Sequence, residues 1–140
     1  ILRPGCTEPT YMCAPLMCDS SAPHFVGATY PSNNTAELGA LAWLFMWLAR
    51  CRDTPVHCDI LFDSCFAMRM VTSAWRPRRC ITGILRVKRH FGLFPQSMFL
   101  WHHVRSHLGQ YLNGLDDTAA KRGSSGVICL HELPVNFDPG

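Results

Sequence analysis

The chain contains no apolar run approaching the roughly 20 residues that a membrane-spanning helix needs. Its longest, residues 38–49, has the length of a core helix, so no membrane partner is expected. None of its 8 cysteines forms a Cys-x-x-Cys pair. Zinc sites usually draw ligands two to four residues apart in paired clusters, and only Cys13 and Cys18 come near that spacing, without a second pair. The cysteines therefore read as small apolar residues, most of them buried, of a reducing intracellular compartment, cytoplasmic or nuclear. Acidic residues are absent from Arg69 to Arg105, a stretch that holds eight Lys/Arg. In a chain of net charge +3, that cationic middle points to a phosphate-bearing partner, with a solvated basic face as an equal alternative. The opening Ile1-Leu2-Arg3-Pro4-Gly5 has neither an initiator Met nor the charged-then-apolar order of a signal peptide. A fragment of something longer, such as a polyprotein, is the expectation.

What is present has the rhythm of an α/β domain. The 140 residues suffice for one domain with one core. Residues 1–10 are rich in Pro and Gly and form a leader or the remnant of an earlier element. Residues 11–18 and 24–30 are expected to be strands of a hairpin turning at Asp19, the first demoted to an edge by Pro15. Asn34 with Glu37 has the form of a capping box, opening a helix to about Arg52. Leu38, Leu41, Ala42, Phe45, Leu48 and Ala49 recur at helical spacing and predict its core face.

Residues 56–62 then read as a strand buried on both faces, and Ser64 as the cap of a second helix reaching about Thr72. Residues 75–94 form a basic region, plausible as a helix with Ile84, Leu85, Val87 and Phe91 on one face. Residues 98–104 are strand-like, 106–112 a loop, and 113–122 a short helix capped by Asn113. Gly123-Ser124-Ser125-Gly126 reads as a flexible joint to a tail, so the expected domain spans residues 11–122 and the tail 123–140. No internal repeat is present.

Each polar residue has a bland role by itself. Glu37 suits a capping box, Asp116 and Asp117 complement a helix dipole, and His107 sits in a loop. Their order and setting carry more. A Glu in the first turn of the long helix, an Asp at the tip of the next strand and an Asp opening the last helix can converge on one cation. Clustered carboxylates repel one another unless a divalent ion neutralises them, and hard oxygen ligands select magnesium or manganese.

Ser32-Asn33-Asn34-Thr35-Ala36-Glu37-Leu38, then Phe62-Asp63-Ser64, then Ser106-His107-Leu108-Gly109 with Asn113 and Asp117-Thr118-Ala119-Ala120, together resemble the ribonuclease H family, type 1, in a form found in retroelements. The resemblance covers roughly residues 11–122, through four short motifs in the right order. It implies a three-layer α/β fold, a mixed five-stranded sheet with helices on both faces, that cuts the RNA strand of RNA–DNA hybrids. Two ions of magnesium or manganese would be held by Glu37, Asp63 and Asp117, with His107 assisting proton transfer or product release. Asn33 and Asn34 match residues that contact the hybrid backbone. Arg76, Arg78, Arg79, Arg86, Lys88 and Arg89 resemble a basic substrate-binding extension. Two departures stand out: Ser106 replaces the family glycine before the histidine, and the opening strand with the first catalytic aspartate is missing. Glu8 and Asp19 are poor substitutes, so that strand is expected upstream of Ile1. The alternative is a truncated or degenerate relative that binds nucleic acid without cutting it.

Overall fold

A computed structural model describes residues 1, 5, 7, 10–22, 25–51, 57–72, 81–104 and 111–129, with the backbone alone at 81, 111–113 and 116. The described residues show a mixed α/β architecture in two compact units. The larger comprises the described residues of Leu16–Arg105, and the smaller those of Ile1–Pro15 and Ser106–Glu132. No helix among the described residues is long and apolar enough to cross a membrane.

In the larger unit, helix α1 spans Asn33–Arg50. Its start differs from the Asn34 and Glu37 expectation. Ser32 is the N-cap, its hydroxyl accepting the Thr35 N–H at 3.1 Å while Thr35 Oγ1 accepts the Ser32 N–H at 2.9 Å. The overlapping boxes compete for one helix start. Ser32 wins because Thr35 also donates to the Tyr30 carbonyl at 2.9 Å, anchoring the incoming chain. Glu37 thereby moves out of the first turn.

The buried face of α1 is Leu38, Ala42, Phe45, Met46 and Leu48, whereas Ala49 lies exposed. Strand β1, Cys58–Phe62, follows, then α2, Cys65–Val71, and α3, Ile81–Phe91. A single 3₁₀ turn, Gln96–Met98, leads into strand β2, Phe99–His103. β1 and β2 pair in parallel, Asp59 opposite Leu100 and Leu61 opposite His102. A parallel pair needs a long crossover, and α2 and α3 lie within it.

The core gathers where α1 meets α3 and the inner face of the strands. Phe45 is fully buried, its ring 5.3 Å from that of Phe91 and 5.7 Å from that of Phe99. On α3, Ile84, Val87 and Phe91 are buried as their spacing predicts, but Leu85 is 57% exposed. Positions 84, 87 and 91 define a stripe, and 85 falls a full 100° beyond 84, on the basic side. Only alternate strand residues are inside: Ile60 and Phe99 are buried, while Leu61 and Leu100 are exposed. The strand read as buried on both faces is thus buried on one.

The expected hairpin is not found among the described residues of 11–30. Pro15 withdraws a ladder donor, and Gly27, at φ +97°, breaks the extended path. Within the larger unit the chain instead passes against the helices, Gly27 at Gly83 of α3 and Val26 at Gly39 of α1. A Cβ at Gly27 would stand 3.1 Å from the Gly83 Cα, so two glycines permit that close crossing. Asp19 does sit in a turn, where its carboxylate accepts the Ser21 N–H at 2.9 Å and the Ser21 hydroxyl at 2.8 Å. Those two bonds hold its carboxyl below the usual aspartate range.

The smaller unit is built on α4, Tyr111–Ser124, which begins earlier and ends later than the sequence suggests. Gly123 is not a flexible joint but a packing position. A Cβ there would meet the Ala14 carbonyl oxygen at 2.8 Å and its nitrogen at 2.9 Å. Arg122 donates to the Tyr11 hydroxyl at 2.9 Å and lies over its ring at 5.5 Å. Gly123→Ala is therefore expected to destabilise this unit by about 1–3 kcal/mol, against the gain of up to about 1 kcal/mol that alanine normally gives inside a helix. Urea unfolding read on the two proteins decides the sign; a gain in stability would mean that Ala14 does not press on the helix.

Candidate functional site

β1 delivers Asp63 to the carboxyl end of a parallel strand, where open α/β sheets commonly build sites. The side chain of Asp63 is exposed. Its backbone is held from β2: the Val104 N–H donates to the Phe62 carbonyl at 2.8 Å, and His103 Nε2 donates to the Asp63 carbonyl at 3.2 Å. The His103 ring also lies 5.4 Å from that of Phe62. Ser64 occupies the N-cap of α2 as expected, but without a side-chain capping bond. The tip is thus fixed by the neighbouring strand.

Glu37, half-buried, lies in the second turn of α1; Asn33 and Asn34 occupy its first two positions, Asn33 exposed and Asn34 half-buried. Asp117 is exposed on α4, in the second turn where the sequence had placed it in the first. The helix starts at Tyr111, ahead of the expected Asn113 cap. Glu37 and Asp63 belong to the larger unit and Asp117 to the smaller. All three offer the hard oxygen donors that magnesium or manganese takes. Among the described residues, however, no three His, Cys, Asp or Glu side chains are gathered as a metal site requires. His107, Arg76, Arg78 and Arg79 lie outside the described residues.

The basic face is present on α3. Thr82, Leu85, Arg86 and Arg89 line a shallow, open depression of about 250 Å³. Arg86 is half-buried, its guanidinium 5.6 Å from the centroid of the Phe25 ring, whereas Arg89 is exposed. Lys88 is half-buried on the same helix. In the last turn of α3, Lys88 and Arg89 complement the negative end of the helix dipole, a purely structural role.

A second polar cluster, on the outer face of the sheet, was not singled out by the motifs. His102 Nε2 donates to Asp59 Oδ1 at 2.7 Å, and His57 Nε2 lies 3.2 Å from the same oxygen. The signal was there in the alternation: His57 and Asp59 are two apart, hence on one face of an extended chain. What the sequence could not supply was the register that brings His102 across.

The His102 bond holds the Asp59 carboxyl below the usual value of 3.8 against opposing desolvation, with lesser help from His57. A depressed folded-state value means that the contribution to stability is complete above the ordinary value and is lost as pH falls through the lowered one. His102→Ala is expected to move the Asp59 titration up toward 3.8. Carboxyl-carbon NMR titration of both proteins checks this, and coincident curves would remove His102 as the cause. Next to Asp59, burial pushes the Cys58 thiol up, with lesser contributions from Cys51 and Asp59. Of the described cysteines only Cys13 is fully buried; the other five are half-buried.

Comparison with known proteins yields no relative: no family model matches the chain, no curated protein matches it, and no solved structure matches it.

Proposed function

We propose that this chain is the larger part of a ribonuclease H-type nuclease that hydrolyses the RNA strand of RNA–DNA hybrids in a reducing intracellular compartment. One observation carries the reading: a parallel strand pair, preceded by the helix that bears Glu37 and followed by the helix that bears Asp117, places Asp63 directly after its first strand. On this reading the described pair is the part of a three-layer, five-stranded fold that follows the glutamate-bearing helix. On the same reading, three further strands and one more carboxylate complete the fold.

The ions that the reading calls for are magnesium or manganese, with Glu37, Asp63 and Asp117 as their ligands. When bound, such ions supply an activated water and neutralise the charge developing on the leaving oxygen. The chain's own residues do the rest. His103 fixes the backbone from which the Asp63 carboxylate projects. Arg86, Lys88 and Arg89 draw in the phosphate backbone, with Arg76, Arg78 and Arg79 extending the same basic region, and Asn33 and Asn34 offer amide groups at the start of α1. His107 would assist proton transfer or product release, and selectivity for RNA would rest on the 2′-hydroxyl.

The basic depression on α3 favours a second reading, nucleic-acid binding without cleavage. Cleavage of a labelled RNA–DNA hybrid with magnesium or manganese separates the two, with single-stranded RNA as the control and Asp63→Asn alongside. Hybrid-specific cutting that disappears in the variant supports the nuclease. Salt-sensitive binding without cutting supports the binding module, and neither activity sinks both.

A further inference from the structure

The smaller unit contains a pair of cysteines that the proposed nuclease does not use. Cys13 and Cys129 form an isolated antiparallel bridge, the Cys13 N–H donating to the Cys129 carbonyl at 2.9 Å and the Cys129 N–H to the Cys13 carbonyl at 2.7 Å. Reciprocal bonds of this kind make the two residues directly opposed, with Cα atoms about 5.5 Å apart and side chains rising on one side of the ribbon. A disulfide spans Cα separations of about 4.4–6.8 Å, so this register sits at the centre of its range. In a hydrogen-bonded pair the opposed Cβ atoms lie at the wider end of about 4.5–5.5 Å, and a disulfide prefers about 3.5–4.5 Å, so closure needs an approach of about 1 Å. Among the described residues the bridge is isolated, with no adjoining ladder to resist that approach by a local twist.

Both residues stand as thiols, Cys13 buried and Cys129 half-buried. The Cys13 Sγ donates weakly to the Val127 carbonyl at 3.8 Å. The neighbouring contacts hold the alignment: Gly123 receives the Ala14 backbone, and Arg122 clasps Tyr11.

We infer that Cys13 and Cys129 are a paired oxidation site, converted to an intramolecular disulfide by a small-molecule disulfide such as oxidised glutathione. Cys129, the more accessible thiol, loses its proton and attacks one sulfur of the oxidant, releasing one glutathione thiolate and leaving a mixed disulfide. Cys13, also as thiolate, attacks the Cys129 sulfur and expels the second glutathione. The two protein thiols give up two electrons and two protons, and the oxidant becomes two glutathione thiols. The new bond closes a loop from residue 13 to residue 129, nearly the whole chain, and restricts the unfolded state accordingly.

The test incubates the full chain with a mixture of oxidised and reduced glutathione, in native buffer and in concentrated urea. Remaining thiols are alkylated in acid-quenched samples, and linked peptides are mapped by mass spectrometry. The expected result is a peptide pair joined through Cys13 and Cys129 in native buffer, several-fold above its share in urea, where the 8 cysteines pair without guidance. It is lost in Cys129→Ser and in Cys13→Ala, and dithiothreitol reverses it. Three results would overturn the inference: a dominant bond between other cysteines such as Cys51 and Cys58, glutathione retained on Cys129 without the internal bond, or equal shares in native buffer and urea.

Discussion

Phe45→Ala is expected to cost about 3–5 kcal/mol, a large part of the roughly 5–15 kcal/mol that holds a domain folded. Phe45 is 0% exposed and meets the rings of Phe91, Phe94 and Phe99 at 5.3, 6.5 and 5.7 Å. It therefore ties α1 to the end of α3, to the following turn and to the start of β2. Removing the ring forfeits its transfer free energy and its tilted and edge-on aromatic contacts, and it leaves a cavity that three flanking rings cannot fill without leaving their rotamers. With ordinary denaturant sensitivity, the urea midpoint should fall by about 2 M at unchanged slope. Leu85→Ala supplies the contrast. Its side chain faces solvent on α3, and the change should stay within about 0.5 kcal/mol. Equal losses in the two variants would mean that α3 is rotated from the frame described.

Asp63→Asn is expected to abolish hybrid cleavage while leaving the fold intact. The substitution preserves shape and keeps the backbone carbonyl that His103 holds. Because the side chain is exposed, thermal stability should change by no more than about 0.5 kcal/mol. The charge is what disappears. Loss of a group one shell removed from a metal commonly costs 10–100-fold, so a direct ligand should cost more than about 100-fold in rate. On the proposed reading binding should persist, since that reading assigns it to Arg86, Lys88 and Arg89. Arg89→Ala should then weaken hybrid binding and reduce the slope of log affinity against log salt by about 1, without favouring any sequence. Cleavage that survives Asp63→Asn would remove Asp63 from the chemistry; cleavage lost together with the thermal transition would show only an unfolded protein.

The elements most legible in the sequence were those with strong local period or a run bounded by breakers. Leu38, Ala42, Phe45 and Leu48 marked α1; residues 56–62 and 98–104 read as strands, which the structure shows at 58–62 and 99–103; Ser64 marked the entry to α2. Legibility failed where two local signals overlapped or where a glycine had more than one meaning. Ser32 with Thr35 and Asn34 with Glu37 are both acceptable boxes, and the Tyr30 carbonyl, invisible in the motif, decides between them. Gly123 beside two serines reads as a linker, yet the Ala14 backbone occupies the place of its missing Cβ. Residues 11–18 had the composition of a strand but no partner strand beside them among the described residues; the one backbone bridge described there joins Cys13 to Cys129, a contact too distant in sequence for any pattern to show.

For the candidate site, the position of Asp63 at a strand tip was readable from the apolar run that ends there. The Asp59, His57 and His102 cluster was not, because it depends on register. A parallel register is fixed by the packing of helices in the crossover and leaves no mark in either strand alone.

That crossover has a consequence for the order of events on the ribosome. Residues 63–98 must be synthesised between the end of β1 and the start of β2. At about 5–20 residues per second, β1 waits roughly 2–7 s before its partner exists. During that interval Ile60 can shelter only against elements already made, of which α1 carries the buried residues Leu38, Ala42, Phe45 and Leu48. The early docking of β1 on α1 would make the growing chain's vulnerability to misassociation depend on Phe45 and its neighbours well before the sheet is complete, so a slow codon run placed after β1 should lower the soluble yield of Phe45→Ala more than that of the parent chain.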